Sequence, residues 1–253
     1  MSLDIDWMWL FIDTPEARAE QSWAFWGAAT RSEIADLRGD REEFATLSPR
    51  DGDPWVKLQT VGGSGGVHVD LDVEDPSAAA TVAVELGADV VRREADESGG
   101  FVVMASPGGF VFCLTRAGHP RRQHRMGEPD LLDQLCLDIP SAGFDAESAF
   151  WSGLTGWPVR SEHAEAEFRS LARPEGMPVR VLLQRLGEDT GPVRAHLDLA
   201  SGDRATTVER HVGLGASVLR EHQYWTVLRD PVGMEYCVTE RAVASGELQP
   251  FPR

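Results

Sequence analysis

The sequence predicts an α+β fold: two tandem domains, each built of two βαβββ modules whose strands form one cupped mixed sheet. Three observations lead there. A set of short motifs occurs twice in the same order. Within each half, the two-residue rhythm of strands alternates with the 3.6-residue rhythm of helices. Pro, Gly and Asp clusters punctuate those segments at regular intervals.

The repeat is read directly. Leu10-Phe11-Ile12-Asp13-Thr14-Pro15 aligns with Leu135-Cys136-Leu137-Asp138-Ile139-Pro140, and Ala24-Phe25-Trp26 with Ala149-Phe150-Trp151. Further matches are Val56-Lys57-Leu58-Gln59 with Val181-Leu182-Leu183-Gln184, His68-Val69-Asp70-Leu71 with His196-Leu197-Asp198-Leu199, and Leu86-Gly87-Ala88 with Leu214-Gly215-Ala216. The last pair is Ser106-Pro107-Gly108-Gly109 through Cys113 with Asp230-Pro231-Val232-Gly233 through Cys237. The domains are expected at 1–117 and 131–253, joined by a linker over 118–130 that carries Arg121, Arg122 and Arg125 and lacks hydrophobic periodicity.

Each element follows from its residues. Ile5 to Ile12 is branched and aromatic and reads as a strand. Pro15 to Trp26 is a helix with Pro in its first turn. Phe44 to Ser48 and Trp55 to Val61 are strands across a turn-rich Pro49 to Pro54. The pattern restarts with a strand over Val67 to Val73. Asp75 then caps a helix with Pro76 at its first position, an apolar face of Ala79, Val82, Ala83 and Leu86, and a stop at Gly87. Val90 to Arg93, Phe101 to Ala105 and Phe110 to Thr115 complete the copy as strands.

Composition narrows the function. The 253 residues carry a formal net charge of −17, which repels phosphate backbones and argues against a nucleic-acid partner while favouring a cationic one. No uninterrupted apolar run is long enough for a membrane span. Cys113, Cys136 and Cys237 are few, odd in number and far apart. They form no disulfide framework, and with no export signal the expected setting is the cytoplasm. No P-loop, nucleophile elbow, C-x-x-C or dinucleotide fingerprint occurs.

Strand alternation locates the site. Val67, Val69, Leu71 and Val73 face the helix, so His68, Asp70 and Asp72 face the concavity of the sheet. In copy two, Arg194, His196 and Asp198 do so. Trp7, Trp9 and Phe11 share one face of the first strand, where copy two has Leu132, Gln134 and Cys136. Gln59 and Gln184 close the third strands. Val111, Cys113 and Thr115 share a face of one last strand, and Glu235, Cys237 and Thr239 a face of the other. His68 and His196 are candidate general bases oriented by Asp70 and Asp198. The alternative is that both histidines only bond neighbouring strands within the fold. Trp7, Trp9, Phe11, Gln59, Gln134, Gln184 and Glu235 are the candidate ligand-binding residues. The acidic loop Glu162, Glu165 and Glu167 with His163 reads as a solvated turn.

A repeated βαβββ unit with H-x-D-L, L-G-A and D-P-x-G-x-x-x-C resembles the vicinal oxygen chelate superfamily, and within it the glyoxalase-like domains related to glyoxalase, bleomycin-resistance proteins and dioxygenases. The resemblance implies metal-ligand positions near Trp9 or Gln134 on the first strand, Gln59 or Gln184 on the third, at His68 or His196, and at Cys113 or Cys237 on the last. No carboxylate stands at any of them, so no metal or other cofactor is favoured. A divalent metal, if bound, falls to Gln134, Gln184, His196 and Cys237. The reading is a protein that binds a small organic molecule, cationic or aromatic, without a metal. The alternative is a metal-dependent lyase, isomerase or dioxygenase using the second domain's site. Whether the duplicated halves pair within one chain or across a homodimer is left open.

Overall fold

The computed structural model describes residues 2–94, 100–118, 128–161 and 166–248. The linker arginines and Glu162, His163 and Glu165 lie outside them. Copy one runs β1 (Trp7–Pro15), α1 (Ala19–Ala29), β2 (Glu33–Arg38), β3 (Phe44–Ser48), β4 (Val56–Val61), then β5 (Gly66–Val73), α2 (Pro76–Glu85), β6 (Asp89–Glu94), β7 (Phe101–Ala105) and β8 (Val111–Arg116). Copy two repeats this as β9 (Asp130–Ile139), α3 (Phe144–Thr155), β10 (Val159–Arg160), β11 (Phe168–Leu171), β12 (Arg180–Arg185), β13 (Arg194–Ser201), α4 (Arg204–Gly213), β14 (Ser217–Glu221), β15 (Trp225–Arg229) and β16 (Glu235–Thr239). Each copy contributes one eight-stranded sheet, ordered β2-β3-β4-β1-β5-β8-β7-β6 and β10-β11-β12-β9-β13-β16-β15-β14. The sheets are mixed: β5 runs parallel to β8 and β13 to β16, while the hairpins flanking them are antiparallel. The α+β fold of tandem βαβββ modules is therefore as the sequence predicts.

Local chemistry accounts for the elements. Asp75 accepts the N–H groups of Ser77 and Ala78 (2.9 and 3.1 Å), with Pro76 at the first helical position. Asp203 does the same for Thr206 at the start of α4 (3.0 Å). Such caps satisfy donors that the first helical turn leaves unpaired. Gly87 has φ +104°, a backbone conformation that a side chain would strain.

Strand β2 has no counterpart in the sequence reading. Its residues are exposed apart from half-buried Ala35, so neither face carries an apolar rhythm. It pairs with β3 as the sheet's outer strand, and a register shift between Ala35 and Arg38 accompanies Asp36 at φ +52°. Charge and irregularity of this kind protect an edge from further pairing, and they also erase the signal by which a strand is recognised.

The chain divides into two compact units, and each draws on both copies. One holds the described residues of Met1–Phe11, His68–Arg122 and Leu135–Ala195, the other those of Ile12–Val67, Gln123–Gln134 and His196–Arg253. This explains the recurring Ala-Phe-Trp. In the first unit, Trp151 and Phe150 of α3 pack on Phe112 of β8, with ring centroids 5.2 and 6.0 Å away. In the second, Trp26 and Phe25 of α1 pack on Tyr236 of β16, at 5.0 and 6.0 Å. Phe112 and Tyr236 hold the same position in their copies. The repeated motif is thus the core contact of each helix with the last strand of the other copy. No helix among the described residues is long and apolar enough to cross a membrane.

Candidate functional site

In copy one, alternation along β5 buries Val69, Leu71 and Val73 on one face. His68, Asp70 and Asp72 lie on the other, with the residues expected from β1. Phe11 stacks on His68, ring centroids 4.3 Å apart and planes at 20°. The indole N–H of Trp9 donates to Asp72 Oδ2 at 3.0 Å, and the Thr115 hydroxyl donates to Asp72 Oδ1 at 2.7 Å. His68 Nε2 lies 3.6 Å from Asp70 Oδ1. Asp70 is the register partner of Cys113 on the parallel strand β8. Ligand atoms of His68, Asp70 and Cys113 all lie within 4.8 Å of one another. Trp7, Trp9 and Phe11 are buried, whereas the His68 side chain keeps 14% of its surface open. The aromatic wall is therefore packed, and the imidazole is a partly open polar group of this face, as are half-buried Cys113 and Thr115.

Copy two repeats the backbone with different partners. His196 Nε2 lies 3.3 Å from Asp198 Oδ1, and the imidazole is 19% exposed over a carboxylate at 4%. The amide NH₂ of Gln134 donates to Asp198 Oδ2 at 2.5 Å. Burial would raise the Asp198 carboxyl, but His196, Arg241 and the Gln134 bond outweigh it and hold it below the ordinary carboxylate value. Cys237, the register partner of Asp198, is pushed up to about 11 by burial and then by the Asp198 charge. A thiol so raised stays protonated at neutral pH and is a poor nucleophile.

The remaining candidates are placed as follows. Gln184 donates to Glu167 Oε1 at 3.3 Å and accepts from the Cys136 thiol at 3.8 Å. Gln59 is half-buried on β4 opposite Phe44 of β3. Glu235 stands at the start of β16 in a surface ion pair with Arg229 (2.8 Å) and near Arg220 (3.7 Å). Three residues take roles that the sequence reading does not assign. Asp72 lies on its expected face, but alternation does not show that it accepts the Trp9 indole N–H. Thr115 lies on its expected face and donates to Asp72. Arg241 lies beyond the last matched motif and carried no signal, yet it pairs with buried Asp133 at 2.6 Å and acts on Asp198.

A mixed eight-stranded sheet of paired βαβββ modules, with a histidine opening the fifth strand, defines a protein of the vicinal oxygen chelate class. More narrowly, the profile of the glyoxalase-like domain matches residues 9–115 and 134–239. The chain belongs to that family and carries two tandem copies of its domain. A search of curated proteins finds no significant match. Among solved structures, an extradiol ring-cleaving dioxygenase from B. fuscum superposes with a TM-score of 0.67 at 14% identity, covering 99% of this chain and 75% of that one. The 2,2',3-trihydroxybiphenyl 1,2-dioxygenase of Sphingomonas wittichii gives 0.60 at 18% identity, with 93% and 90% covered. A xylose isomerase-like TIM barrel/4-hydroxyphenylpyruvate dioxygenase fusion protein gives 0.60 at 14% identity; 94% of this chain matches, spanning 49% of that one. At these identities the likeness is one of fold.

The enzymes of this superfamily carry metal ligands at the positions named above, and the residues found there differ in what they can offer. Trp9 offers only an N–H and gives it to Asp72. Gln134 turns its NH₂ onto Asp198. The first-strand position thus offers a cation no ligand in copy one and a committed amide in copy two, whereas His68, Asp70 and Cys113 form a group that could hold a divalent metal.

Proposed function

We propose that this protein binds a small organic molecule at its two His–Asp faces, with no metal at the family's ligand positions. One observation carries the reading. At the first-strand ligand position, both copies place an N–H donor on a buried carboxylate, Trp9 on Asp72 and Gln134 on Asp198. The Trp9 indole has no lone pair to give a cation, and the Gln134 amide is held in place by its bond to Asp198. The ligand is cationic or aromatic: aromatic side chains and buried carboxylates share the copy-one face, and the chain is strongly acidic. The setting is cytoplasmic, with no nucleic-acid or membrane partner. Each imidazole keeps part of its surface open above a more deeply buried aspartate, 3.6 Å away at His68 and 3.3 Å away at His196.

Tryptophan fluorescence and calorimetric titration with a panel of protonated amines and aromatic compounds test this. At least one compound is expected to bind. His68→Ala or His196→Ala should then weaken that binding by about tenfold or more, the scale of a charge-assisted hydrogen bond. A panel without a binder would sink the reading.

A second reading, a metal-dependent lyase, isomerase or dioxygenase of the same superfamily, draws on the cluster of His68, Asp70 and Cys113. One nitrogen, one carboxylate and one thiol suit a soft cation such as Zn²⁺, with Asp70 taking a ligand role that the family positions do not include. Metal analysis of protein purified without chelators separates the two readings. Stoichiometric zinc that disappears in both Asp70→Asn and Cys113→Ser would favour the enzyme. The expected result is sub-stoichiometric metal, unchanged by either substitution.

A further inference from the structure

The two helix-to-turn contacts differ in one respect, and the chain compensates for it. In the unit holding α1 and β16, the buried indole of Trp26 donates to Asp230 Oδ2 at 3.1 Å. Asp230 Oδ1 accepts the backbone N–H groups of Val232, Gly233 and Met234 at 2.9, 2.8 and 2.8 Å. On this helix the buried Ser22 carries no charge and accepts from the Thr14 hydroxyl at 3.0 Å. In the other unit, Trp151 donates to Glu147 Oε2 at 2.9 Å on its own helix. Glu147 Oε1 reaches across to accept the Ser106 hydroxyl at 2.8 Å and the Gly108 N–H. Ser22 and Glu147 occupy one position of the two helices, and Ser106 and Asp230 one position of the two turns. Each contact holds a single carboxylate, supplied by the turn in one unit and by the helix in the other. A third position follows suit. A Cβ on Gly108 would lie 2.4 Å from Val193 Cγ2 and 2.7 Å from Glu147 Oε1, and the same position of the other turn carries Val232.

We propose that this exchanged carboxylate decides which modules associate: each helix accepts the turn of the other copy and rejects the turn of its own. Seating α1 on the copy-one turn brings Ser22 to Ser106. No carboxylate is then present for the buried Trp26 indole or for the turn's amides, and a buried donor left unmet loses its full hydration. Seating α3 on the copy-two turn brings Glu147 to Asp230, two carboxylates in one buried place that cannot both ionise. Burial already raises the Glu147 carboxyl, against the bonds from Gly108, Ser106 and Trp151. Both like-with-like associations are disfavoured, whether they would form inside one copy or by exchange of modules between two chains. The partner that each module face fits is the module of the other copy.

The test uses the full chain. Glu147→Ser removes the carboxylate from its contact, Ser106→Asp doubles it, and S106D/E147S rebuilds there the arrangement of the other unit. Each single substitution should lower Tm by about 5 °C or more. The double variant should lose well under the sum of the two. Failure of a single variant to fold, with the double variant folded, supports the proposal equally. In S106D/E147S both helices carry Ser and both turns Asp, so like-with-like association is no longer penalised. After refolding at high concentration, native mass spectrometry should show exchanged oligomers for this variant and not for the wild type. Additive losses in the cycle, an unfolded double variant, or identical refolded distributions would overturn the proposal.

Discussion

Replacing Arg241 by alanine is expected to destabilise the protein by about 3–5 kcal/mol, the cost of stranding one partner of a buried ion pair. Its guanidinium meets Asp133 through two bonds, Nη2 to Oδ1 at 2.6 Å and Nη1 to Oδ2 at 3.3 Å, and its Nε donates to Thr239 Oγ1 at 2.9 Å. The two side chains are 7% and 1% exposed. Without Arg241, Asp133 has to be buried as a bare carboxylate or take up a proton, and either is costly. Asp133→Ala should lose a similar amount, because it leaves the guanidinium unmatched. An apolar double replacement, Asp133→Leu with Arg241→Met, should lose far less than the two single losses together. Urea midpoints at constant m-value measure this, and a loss below about 1 kcal/mol for Arg241→Ala would remove the ion pair from any account of the fold. The same substitution reaches the site. Arg241 helps hold the Asp198 carboxyl low, so the pH profile of ligand binding should shift upward at its acid end.

The second large effect is in acid. His211 is fully buried on α4, bonded through Nδ1 to the Tyr236 hydroxyl at 2.8 Å and through Nε2 to Arg210 at 3.0 Å. Burial first, then the Arg210 charge, lower its pKa from 6.5 to about 4, against the pull of Asp130. The unfolded chain takes up a proton on this residue near pH 6.5, and the folded chain does so only near pH 4. Between those values the unfolded state binds more protons, so stability falls as the pH falls. The loss amounts to about 3 kcal/mol at 1.36 kcal/mol per unit, and it is complete below about pH 4. His211→Gln, which keeps hydrogen-bonding capacity without titrating, should flatten this part of the stability profile. Urea unfolding at pH 7, 5.5 and 4 tests the claim, and equal slopes in wild type and variant would refute it.

Asp130 adds an acid loss of its own. Arg31 (2.7 Å) and Arg210 (2.9 Å) flank its buried carboxylate. Burial opposes ionisation, but the two guanidiniums outweigh it and lower the pKa. This contribution is present above the unfolded carboxylate value and is lost as the pH falls through the lower folded one. It therefore lies beneath the histidine window.

Much of this protein was legible in the residues because the relevant physics is local. Periodicity marked the strands and helices, Asp75 with Pro76 marked a helix start, and six collinear motifs marked the duplication. Alternation along β5 and β1 put His68, Asp70, Trp9 and Phe11 on one face, where Phe11 indeed stacks on His68 and Trp9 bonds the neighbouring Asp72. Strand β2 was illegible because an outer strand with both faces exposed needs no apolar rhythm.

The sequence by itself determined the scaffold, its duplication and the faces its polar residues occupy. Only the tertiary structure decided which half of each copy packs with which, and what each site residue bonds. The compact units join residues far apart in sequence, so no window along the chain contains the contact between Trp26 and Asp230 or between Glu147 and Ser106. The same holds for Gln134 on Asp198 and Arg241 on Asp133. Side-chain type is written locally, but the direction of a hydrogen bond depends on atoms that the fold brings within about 3 Å.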